Sequence, residues 1–273
     1  MEQIRQAVER AKASGVAASE PQGRPSSNRP VPPSTLSESR PEVIGKKETE
    51  LNREHLESYR LIAHNAADPR ASAYDMLRTQ VLQAMDQRNW QFLAVTSPTP
   101  GCGKTVTAIN LALSMARQPE RSVFLVDMDL QRPQLASCLG LKCQHGLLSV
   151  LDGRAGLADA VIQVRVDSHK LMVLPAEGPM LGSSELIASR AMSSLLQNIK
   201  RDFRSRTVIL DMPPMLTSDD VIAILPQIDC VLLVAAVGTS TVSEIKQCSK
   251  HLQAAEVVRL VLNKASETMV GYA

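Results

Sequence analysis

A glycine-rich turn between an apolar run and a helix-forming run constrains the fold most. Residues 92–96 read Phe-Leu-Ala-Val-Thr, and the turn after them leads to Gly103, Lys104 and Thr105. In such a strand–loop–helix unit, backbone N–H groups surround phosphate oxygens and the helix N-terminus adds its positive dipole end. The lysine reaches the outer phosphates, and the threonine hydroxyl holds a magnesium ion. The turn predicts a phosphate-binding loop, although Pro98 replaces the glycine of the strict pattern.

Two further apolar runs end in aspartate. Residues 123–126 precede Asp127 and Asp129, and residues 208–210 precede Asp211. In an open parallel sheet, ligands bind outside the carboxyl ends of the strands. We therefore expect these carboxylates to lie beside the phosphate loop, where one hydroxyl and one or two carboxylates suffice for Mg²⁺. Taken alone, each aspartate also suits a helix N-cap or a solvated strand end.

Asp127 and Asp129 are two residues apart on a strand, so they share a face. One is expected to organise the metal and water, and the other to orient or deprotonate a hydroxyl acceptor. The spacing does not decide which aspartate has which role. Arg132, three residues further on, is expected either to pair with a carboxylate or to contact phosphate or acceptor.

The chain is predicted to be an α/β protein of the doubly wound P-loop type. Alternating strand and helix signals predict a mainly parallel sheet with helices on both faces. The predicted strands are 92–96, 123–126, 171–174, 207–210, 230–235 and 257–262. The predicted helices are 72–87, 105–117, 183–203 and 242–254.

The nucleotide-binding domain is predicted to occupy residues 70–265. Residues 1–12 suit a short helix, either one that docks on a partner or a membrane surface or a frayed terminal helix. Residues 13–45 are rich in proline and serine and are predicted to be a disordered arm. Residues 46–69 are predicted to be a helical lead-in, and residues 266–273 a short tail.

Composition favours a cytoplasmic protein. The formal net charge of +2 is too near neutral to indicate nucleic-acid binding. The five cysteines form no CxxC pair, which fits reduced thiols rather than a disulfide framework. No run of about 18 apolar residues is present, so we expect membrane association only through a partner.

The chain resembles the bacterial tyrosine kinases of capsule and exopolysaccharide synthesis, a branch of Walker-type ATPases related to partition and septum-site proteins. The residues that carry this resemblance are Pro100-Gly-Cys-Gly-Lys-Thr105, Asp127-Met-Asp-Leu-Gln-Arg-Pro133 and Leu210-Asp-Met-Pro-Pro214. The partition branch usually has a second lysine five residues before the main one. Thr99 stands at that position here, which favours the kinase branch.

The resemblance implies ATP and Mg²⁺ as cofactors and assigns roles to individual residues. The implied catalytic residues are Lys104, Asp127, Asp129 and Asp211. The implied metal ligands are Thr105, Asp127 and Asp211. The implied nucleotide-binding residues are Thr99, Pro100, Gly101, Cys102, Gly103, Lys104, Thr105, Val106, Arg132 and Asn263, and Asn263 stands where the family contacts the base.

Three departures from the family pattern stand out. The family usually ends in a tyrosine-rich tail that is autophosphorylated, whereas only Tyr272 lies near this C-terminus and is the candidate acceptor. The family's Glu-x2-Arg-x2-Arg assembly helix aligns with Ser72, Asp75 and Arg78, so the family's ring assembly is expected to be absent or differently built, and a homo-oligomer of another kind stays open. Cys102 replaces an acidic loop residue, and a thiol at a helix N-terminus suits regulation.

The implied reaction is ATP-dependent phosphorylation of tyrosine, with a role in polysaccharide chain length and export. The implied partner is the cytoplasmic tail of a separate transmembrane chain-length protein, which places the chain at the inner face of the plasma membrane. Two alternatives stay open at this point. One is a partition-type ATPase switch, and the other is a non-catalytic ATP-binding scaffold of the export complex.

Overall fold

The structure, a computed structural model, describes residues 47–180, 182–202 and 206–265. The strands of this part of the chain are β1 (Lys47–Glu50), β2 (Phe92–Thr96), β3 (Ser122–Asp127), β4 (Ile162–Val166), β5 (His169–Leu174), β6 (Arg206–Asp211), β7 (Cys230–Ala236) and β8 (Glu256–Asn263). The α-helices are α1 (Arg53–Ser58), α2 (Ser72–Arg88), α3 (Lys104–Ala116), α4 (Leu135–Leu139), α5 (Leu147–Leu151), α6 (Leu157–Ala160), α7 (Ser183–Ile187), α8 (Arg190–Asp202), α9 (Asp220–Ile224) and α10 (Val242–His251). Single 3₁₀ turns span Pro69–Ala71, Leu225–Gln227 and Leu252–Ala254.

All eight strands form one sheet in the order β1-β4-β5-β3-β6-β2-β7-β8. The six strands from β5 to β8 in this order run parallel to their neighbours. Strand β4 is antiparallel to β5, and β1 is parallel to β4. The predicted mainly parallel sheet is therefore confirmed, with one antiparallel step near its edge.

The sheet is buried between two helical layers. Because successive side chains of a strand point to opposite faces, Leu93 and Val95 of β2 join one apolar cluster while Phe92 and Ala94 join the other. Helices α2 and α3 contribute to the first cluster, and helices α8 and α9 contribute to the second. Helices on both faces, as predicted, leave the carboxyl ends of the strands as the edge where ligands bind.

The six predicted strands are all present with bounds within two residues, whereas β1 and β4 were not predicted. The predicted helix 183–203 is interrupted between α7 and α8. The side chain of Ser189 accepts a hydrogen bond of 3.1 Å from the backbone of Met192, so it caps a new helix start. The predicted helix 242–254 ends its α-helical part at His251 and closes with a 3₁₀ turn.

The predicted helical lead-in 46–69 is wrong in its first part, since residues 47–50 form an edge strand. Exposed and charged residues give β1 no apolar pattern, so its strand state comes from pairing with β4. Glu48 and Glu50 also lie 3.3 Å and 3.2 Å from the guanidinium of Arg165. Further along the lead-in, Leu56 and Leu61 are fully buried in the same core as the domain.

The remaining predictions concern the two ends of the chain. The predicted helix within 1–12, the predicted disordered arm 13–45 and the tail 266–273 with Tyr272 lie outside the described residues. Among the helices that are described, none combines the length and the apolar character needed to cross a membrane.

Candidate active site

The sheet register brings three predicted motifs to one place. Strand β6 lies between β2 and β3, and Asp211 is paired with Val95 on one side and with Asp127 on the other. The two aspartates therefore sit side by side at the strand ends. The glycine-rich turn leaves β2 directly beside them and enters α3 at Lys104.

The turn has the backbone of a phosphate-binding loop. Gly101 and Gly103 have φ angles of +82° and +91°, a left-handed region that glycine reaches without a steric penalty. Helix α3 then starts at Lys104 and runs for 13 residues. Its first N–H groups have no acceptor within the helix and point toward the turn, so the loop offers backbone donors to an anion.

Lys104 is the centre of the charged cluster. Its Nζ lies 2.7 Å from Asp129 Oδ2 and 3.6 Å from Asp211 Oδ1, and it donates to Thr105 Oγ1 at 3.2 Å. Burial disfavours the ammonium, but the charges of Asp211 and Asp129 outweigh burial and raise the pKa of Lys104. The Thr105 hydroxyl in turn donates to Asp211 Oδ2 at 2.7 Å.

Asp127 and Asp211 are buried carboxylates, each with one oxygen lacking a donor. Asp127 Oδ2 accepts from the backbone N–H groups of Gln134 and Leu135 at 3.1 Å and 3.0 Å. Asp127 Oδ1 and Asp211 Oδ1 have no hydrogen-bond partner among the described residues. Burial and the charge of Asp211 raise the pKa of Asp127 to about 8. Burial also raises the pKa of Asp211, against the opposing effect of Lys104.

A cavity of about 350 Å³ opens above this cluster. The predicted site residues that line it are Pro100, Gly101, Gly103, Lys104, Thr105, Val106, Asp129 and Arg132. Asp127 and Asp211 are fully buried and do not line the cavity, and Thr99, Cys102 and Asn263 are not among its lining residues either. The structure thus brings most of the predicted residues together around one space.

Other lining residues were not predicted as site residues. They are Gln131, Gln134, Pro213, Pro214 and Thr217. The sequence carried a signal for the two prolines, which belong to the Leu210–Pro214 motif, and for Gln131, which lies within the Asp127–Pro133 motif. No local signal marks Gln134 or Thr217, because only the folded chain places them at the cavity.

A family model described as an AAA domain matches residues 91–263, which run from the start of the β2 region to the end of β8. The chain belongs to the AAA domain family. This membership confirms the predicted nucleotide-binding P-loop domain, since the match includes the loop, both aspartate motifs and every strand that positions them.

Individual relatives confirm the resemblance to bacterial tyrosine kinases. The tyrosine-protein kinase Ptk of Acinetobacter johnsonii is 26% identical over 244 residues, which are 89% of this chain and 32% of that protein. The succinoglycan biosynthesis transport protein ExoP of Rhizobium meliloti is 29% identical over 185 residues, 66% of this chain and 23% of that protein. The solved kinase domain of the Escherichia coli tyrosine kinase ETK gives a TM-score of 0.64 at 26% identity, covering 78% of this chain and 83% of that one. The chain therefore spans less than a third of the length of the two curated relatives.

Asn263 and Cys102 form contacts that stabilise the phosphate-binding loop, although neither residue lines the cavity. The Asn263 side-chain amide donates to the Cys102 carbonyl at 2.9 Å. The Cys102 thiol is fully buried, with its sulfur 3.3 Å from Ser240 Oγ, so solvent oxidants do not reach it in this conformation. A contact of Asn263 with the base and a regulatory role of Cys102 stay predictions.

Two of the residues aligned with the family's assembly helix, Asp75 and Arg78, form hydrogen bonds and ion pairs within this chain. Asp75 on α2 accepts from Ser114 on α3, and its Oδ1 lies 2.8 Å from the guanidinium of Arg117, the C-cap residue of α3. Arg78 lies 3.2 Å from the same Asp75 oxygen and also donates to the Ser114 carbonyl. These side chains therefore join α2 to the C-terminal end of α3, and a homo-oligomer stays a hypothesis.

Replacing Gly103 with alanine is expected to destabilise the protein more than replacing Gly101. Both positions have positive φ, which costs an alanine about 1–2 kcal/mol. A Cβ on Gly103 would lie 2.3 Å from Asn263 Nδ2, whereas a Cβ on Gly101 meets nothing within 4 Å. Urea unfolding should give a loss larger by about 1–3 kcal/mol for Gly103→Ala. Equal losses of unfolding free energy in the two variants would contradict the close packing of Asn263 against the loop.

Proposed function

We propose that the chain is an ATP-dependent protein-tyrosine kinase that transfers the γ-phosphoryl group to a tyrosine hydroxyl. The observation that carries this proposal is the Lys104–Asp129 pair, 2.7 Å apart at the wall of the cavity above a P-loop. A cation and a carboxylate at this spacing would both reach a group that reacts in the cavity. Similarity to Ptk and to the ETK kinase domain supports phosphotransfer as the reaction.

The loop and α3 are proposed to bind the nucleotide phosphates. The backbone N–H groups of residues 101–105 would surround the phosphate oxygens. Pro100, also a predicted binding residue, has no N–H to donate. Lys104 would turn from Asp129 to the outer phosphates, where its charge stabilises the transition state. Val106 and Arg132 line the same cavity. The guanidinium of Arg132 forms no ion pair with any described residue, which suits a contact with phosphate or acceptor.

Thr105, Asp127 and Asp211 are proposed to hold Mg²⁺. The Thr105 hydroxyl donates to Asp211, whose Oδ1 lies 3.6 Å from Lys104 Nζ. Asp127 is paired with Asp211 at the strand ends, and its Oδ1 has no hydrogen-bond partner among the described residues. Oxygen donors of this kind suit Mg²⁺, which keeps several waters. When bound, the ion would neutralise charge on the phosphates and on the two buried carboxylates.

Asp129 is proposed to accept the proton of the acceptor hydroxyl. It lines the cavity, whereas Asp127 is fully buried and does not, which supports giving Asp129 the role that the sequence left open. Its Oδ1 is fixed by the backbone N–H of Arg132 at 3.1 Å. In the transfer step a bond forms between the tyrosine oxygen and the γ-phosphorus, the bond to the β–γ bridging oxygen breaks, and ADP leaves.

The cellular role is proposed to be control of polysaccharide chain length and export. Support comes from the similarity to ExoP, whose name describes a succinoglycan biosynthesis transport protein. The chain would act at the inner face of the plasma membrane, docked on the cytoplasmic tail of a transmembrane chain-length protein. Tyr272 is the proposed acceptor in the chain itself.

The reaction class is tested by comparing two synthetic peptides as acceptors. One has the sequence of residues 264–273, and the other has phenylalanine in place of Tyr272. With Mg·ATP, a kinase predicts that the tyrosine peptide is phosphorylated and increases ADP release, while the phenylalanine peptide does neither. Equal ADP release with both peptides, with no phosphoryl group on either peptide or on the chain, would identify water as the acceptor and favour the ATPase switch.

Binding of Mg·ADP is expected to strengthen as the pH rises toward about 8. The metal requires ionised carboxylates, and the pKa of Asp127 is raised to about 8 in the free protein. Below that pH, binding therefore releases up to about one proton, and the affinity gains up to about tenfold per pH unit. Above it, the affinity levels off.

Calorimetric titration in two buffers of different ionisation enthalpy measures this release. The same titration on Asp127→Asn removes the contribution of this carboxyl and leaves the proton exchange of the nucleotide itself. Equal proton release by wild type and Asp127→Asn would contradict the assignment of Asp127 to the metal site.

A further inference from the structure

A second cavity lies at the opposite end of the strands from the nucleotide cavity. Its volume is about 500 Å³, larger than the nucleotide cavity of about 350 Å³. Ser122 and Val123, the first two residues of β3, line it together with residues 168–172 around the start of β5. The two cavities share no lining residue in the described part of the chain. Because the nucleotide site lies at the carboxyl ends of the strands, the second cavity is a separate space.

The lining of the second cavity combines buried apolar side chains with polar ones. Ala116, Val123, Leu171 and Met172 are buried, so they offer contact surface to an apolar body. The polar lining residues are Gln118, Arg121, Ser122, Gln163, Ser168, His169 and Lys170. Ligand-binding pockets typically have apolar walls with a few polar groups that fix orientation, at volumes of roughly 300–1,000 Å³. The second cavity has both the size and the composition of such a pocket.

Gln163 is a buried amide without a partner at this cavity. It is only 8% exposed and lines the cavity from β4, opposite Met172 of β5. Its side chain forms no hydrogen bond with any described residue. Buried polar side chains usually have a hydrogen-bond partner, and an amide offers both a donor and an acceptor. A ligand in the cavity would therefore meet a hydrogen-bonding group that the sheet already holds in place.

The charged side chains of the lining are cationic. They are Arg121 and Lys170, and no carboxylate is among the described residues that line the cavity. Asp86 pairs with Arg121 through two of its terminal N–H groups, but a guanidinium has five such donors. Lys170 Nζ lies 3.6 Å from Glu48 Oε1, which is longer than a hydrogen bond. Both cations therefore keep donors for an anionic group.

The cavity also has an end that disfavours negative charge. Helix α3 ends at Ala116, and the carboxyl end of a helix carries the negative end of its dipole. The turn between β4 and β5 has no such effect and supplies Lys170 and the half-buried ring of His169. An anionic group is therefore better placed at this turn than beside α3.

We propose that the second cavity binds a small organic anion. The apolar body of this ligand would pack on the buried lining residues, a polar group of it would bind the Gln163 amide, and its anionic group would lie beside His169 and Lys170. This site is independent of the nucleotide, because it uses none of the residues assigned above to phosphate, Mg²⁺ or proton transfer.

Two fluorescent probes with the same apolar body test this site. Anilinonaphthalene sulfonate carries a negative charge, whereas phenylnaphthylamine is the same ring system without the sulfonate. Each probe is titrated into the full chain at saturating Mg·ADP, so that the nucleotide cavity is filled. Lys170→Glu reverses the charge at the β4–β5 turn, and Ser122→Trp adds bulk at an exposed position of the lining. Lys250→Glu makes the same charge change on the exposed face of α10 and is the matched control.

We expect the sulfonate to bind wild type saturably and more tightly than the uncharged probe. Lys170→Glu should raise the Kd of the sulfonate about tenfold, since attraction is replaced by repulsion, and leave the Kd of the uncharged probe unchanged. Ser122→Trp should weaken both probes, and Lys250→Glu should match wild type. No saturable binding of the sulfonate, or a Kd that neither cavity variant changes, would overturn the site. Equal effects of Lys170→Glu on both probes would overturn the preference for an anion.

Discussion

Lys104→Met is expected to lower the rate of phosphotransfer by about 10²–10³-fold, as the loss of one preorganised donor to a developing charge does in other enzymes. The proposed role of Lys104 is to stabilise negative charge that moves toward the β–γ bridging oxygen. The neutral methionine has similar length and no charge, so it retains packing and removes this electrostatic contribution. The measurement is the initial rate of ADP release and of phosphopeptide formation at saturating Mg·ATP.

Stability must be followed in the same variant. Lys104 Nζ faces Asp129 and Asp211, and removal of one partner from a buried charge cluster costs about 3–5 kcal/mol. Lys104→Arg keeps a cation there and separates the two effects, because it should remain folded like wild type while its rate falls. Lys250→Met, on the exposed face of α10, controls for the loss of a lysine. A rate above a tenth of wild type in Lys104→Met would remove Lys104 from the mechanism.

Asp127→Asn is expected to stabilise the nucleotide-free protein while it impairs the metal site. An asparagine retains the acceptor for the N–H groups of Gln134 and Leu135 and removes a buried negative charge beside Asp211. We expect a gain of about 1–3 kcal/mol in the free energy of unfolding near pH 8, which corresponds to about 2–10 °C in Tm. Stability gained at the expense of function is typical of catalytic sites.

The pH dependence identifies the cause of this gain. The pKa of Asp127 in the folded state, about 8, lies above that of the unfolded chain, so the ionisation of Asp127 destabilises the fold as the pH rises from about 4 to 8. The Tm difference between Asp127→Asn and wild type should therefore grow over this range and level off above it. A difference that is constant with pH would refute the buried-charge explanation.

Asp75→Asn is the matched control, with the opposite sign. Burial acts to raise the pKa of Asp75, but the hydroxyl of Ser114 and the guanidinium of Arg117 overcome it and hold the pKa below its usual value. Asp75→Asn should therefore destabilise the protein above about pH 4, and this loss should disappear as the pH falls through the folded pKa.

The sequence predicted the centre of the sheet well because its strands are buried on both faces. Residues 92–95 of β2 are all apolar, and the aspartates that end β3 and β6 mark the edge of the sheet where ligands bind. The edge strand β1 has no such run, since its charged residues become strand only through pairing with β4. Its state depends on a partner more than 100 residues away, which local pattern does not report.

In the candidate site, too, residues in contiguous motifs could be predicted, and residues brought in by long-range contacts could not. Lys104, Thr105, Asp127, Asp129 and Asp211 belong to contiguous motifs, and the structure brings them together. Asn263 stabilises the loop through a hydrogen bond to Cys102, which lies 161 residues earlier in the chain. No local pattern reports a contact over that distance.

The most direct test of kinase function is intact-mass spectrometry of the full chain after incubation with Mg·ATP, with ADP measured in the same sample. Wild type is compared with Tyr272→Phe and Lys104→Met. We predict a phosphoryl adduct on wild type, no adduct on Lys104→Met, and loss of the adduct on Tyr272→Phe. ADP formation by wild type while its mass and that of the 264–273 peptide stay unchanged would contradict the kinase and identify an ATPase.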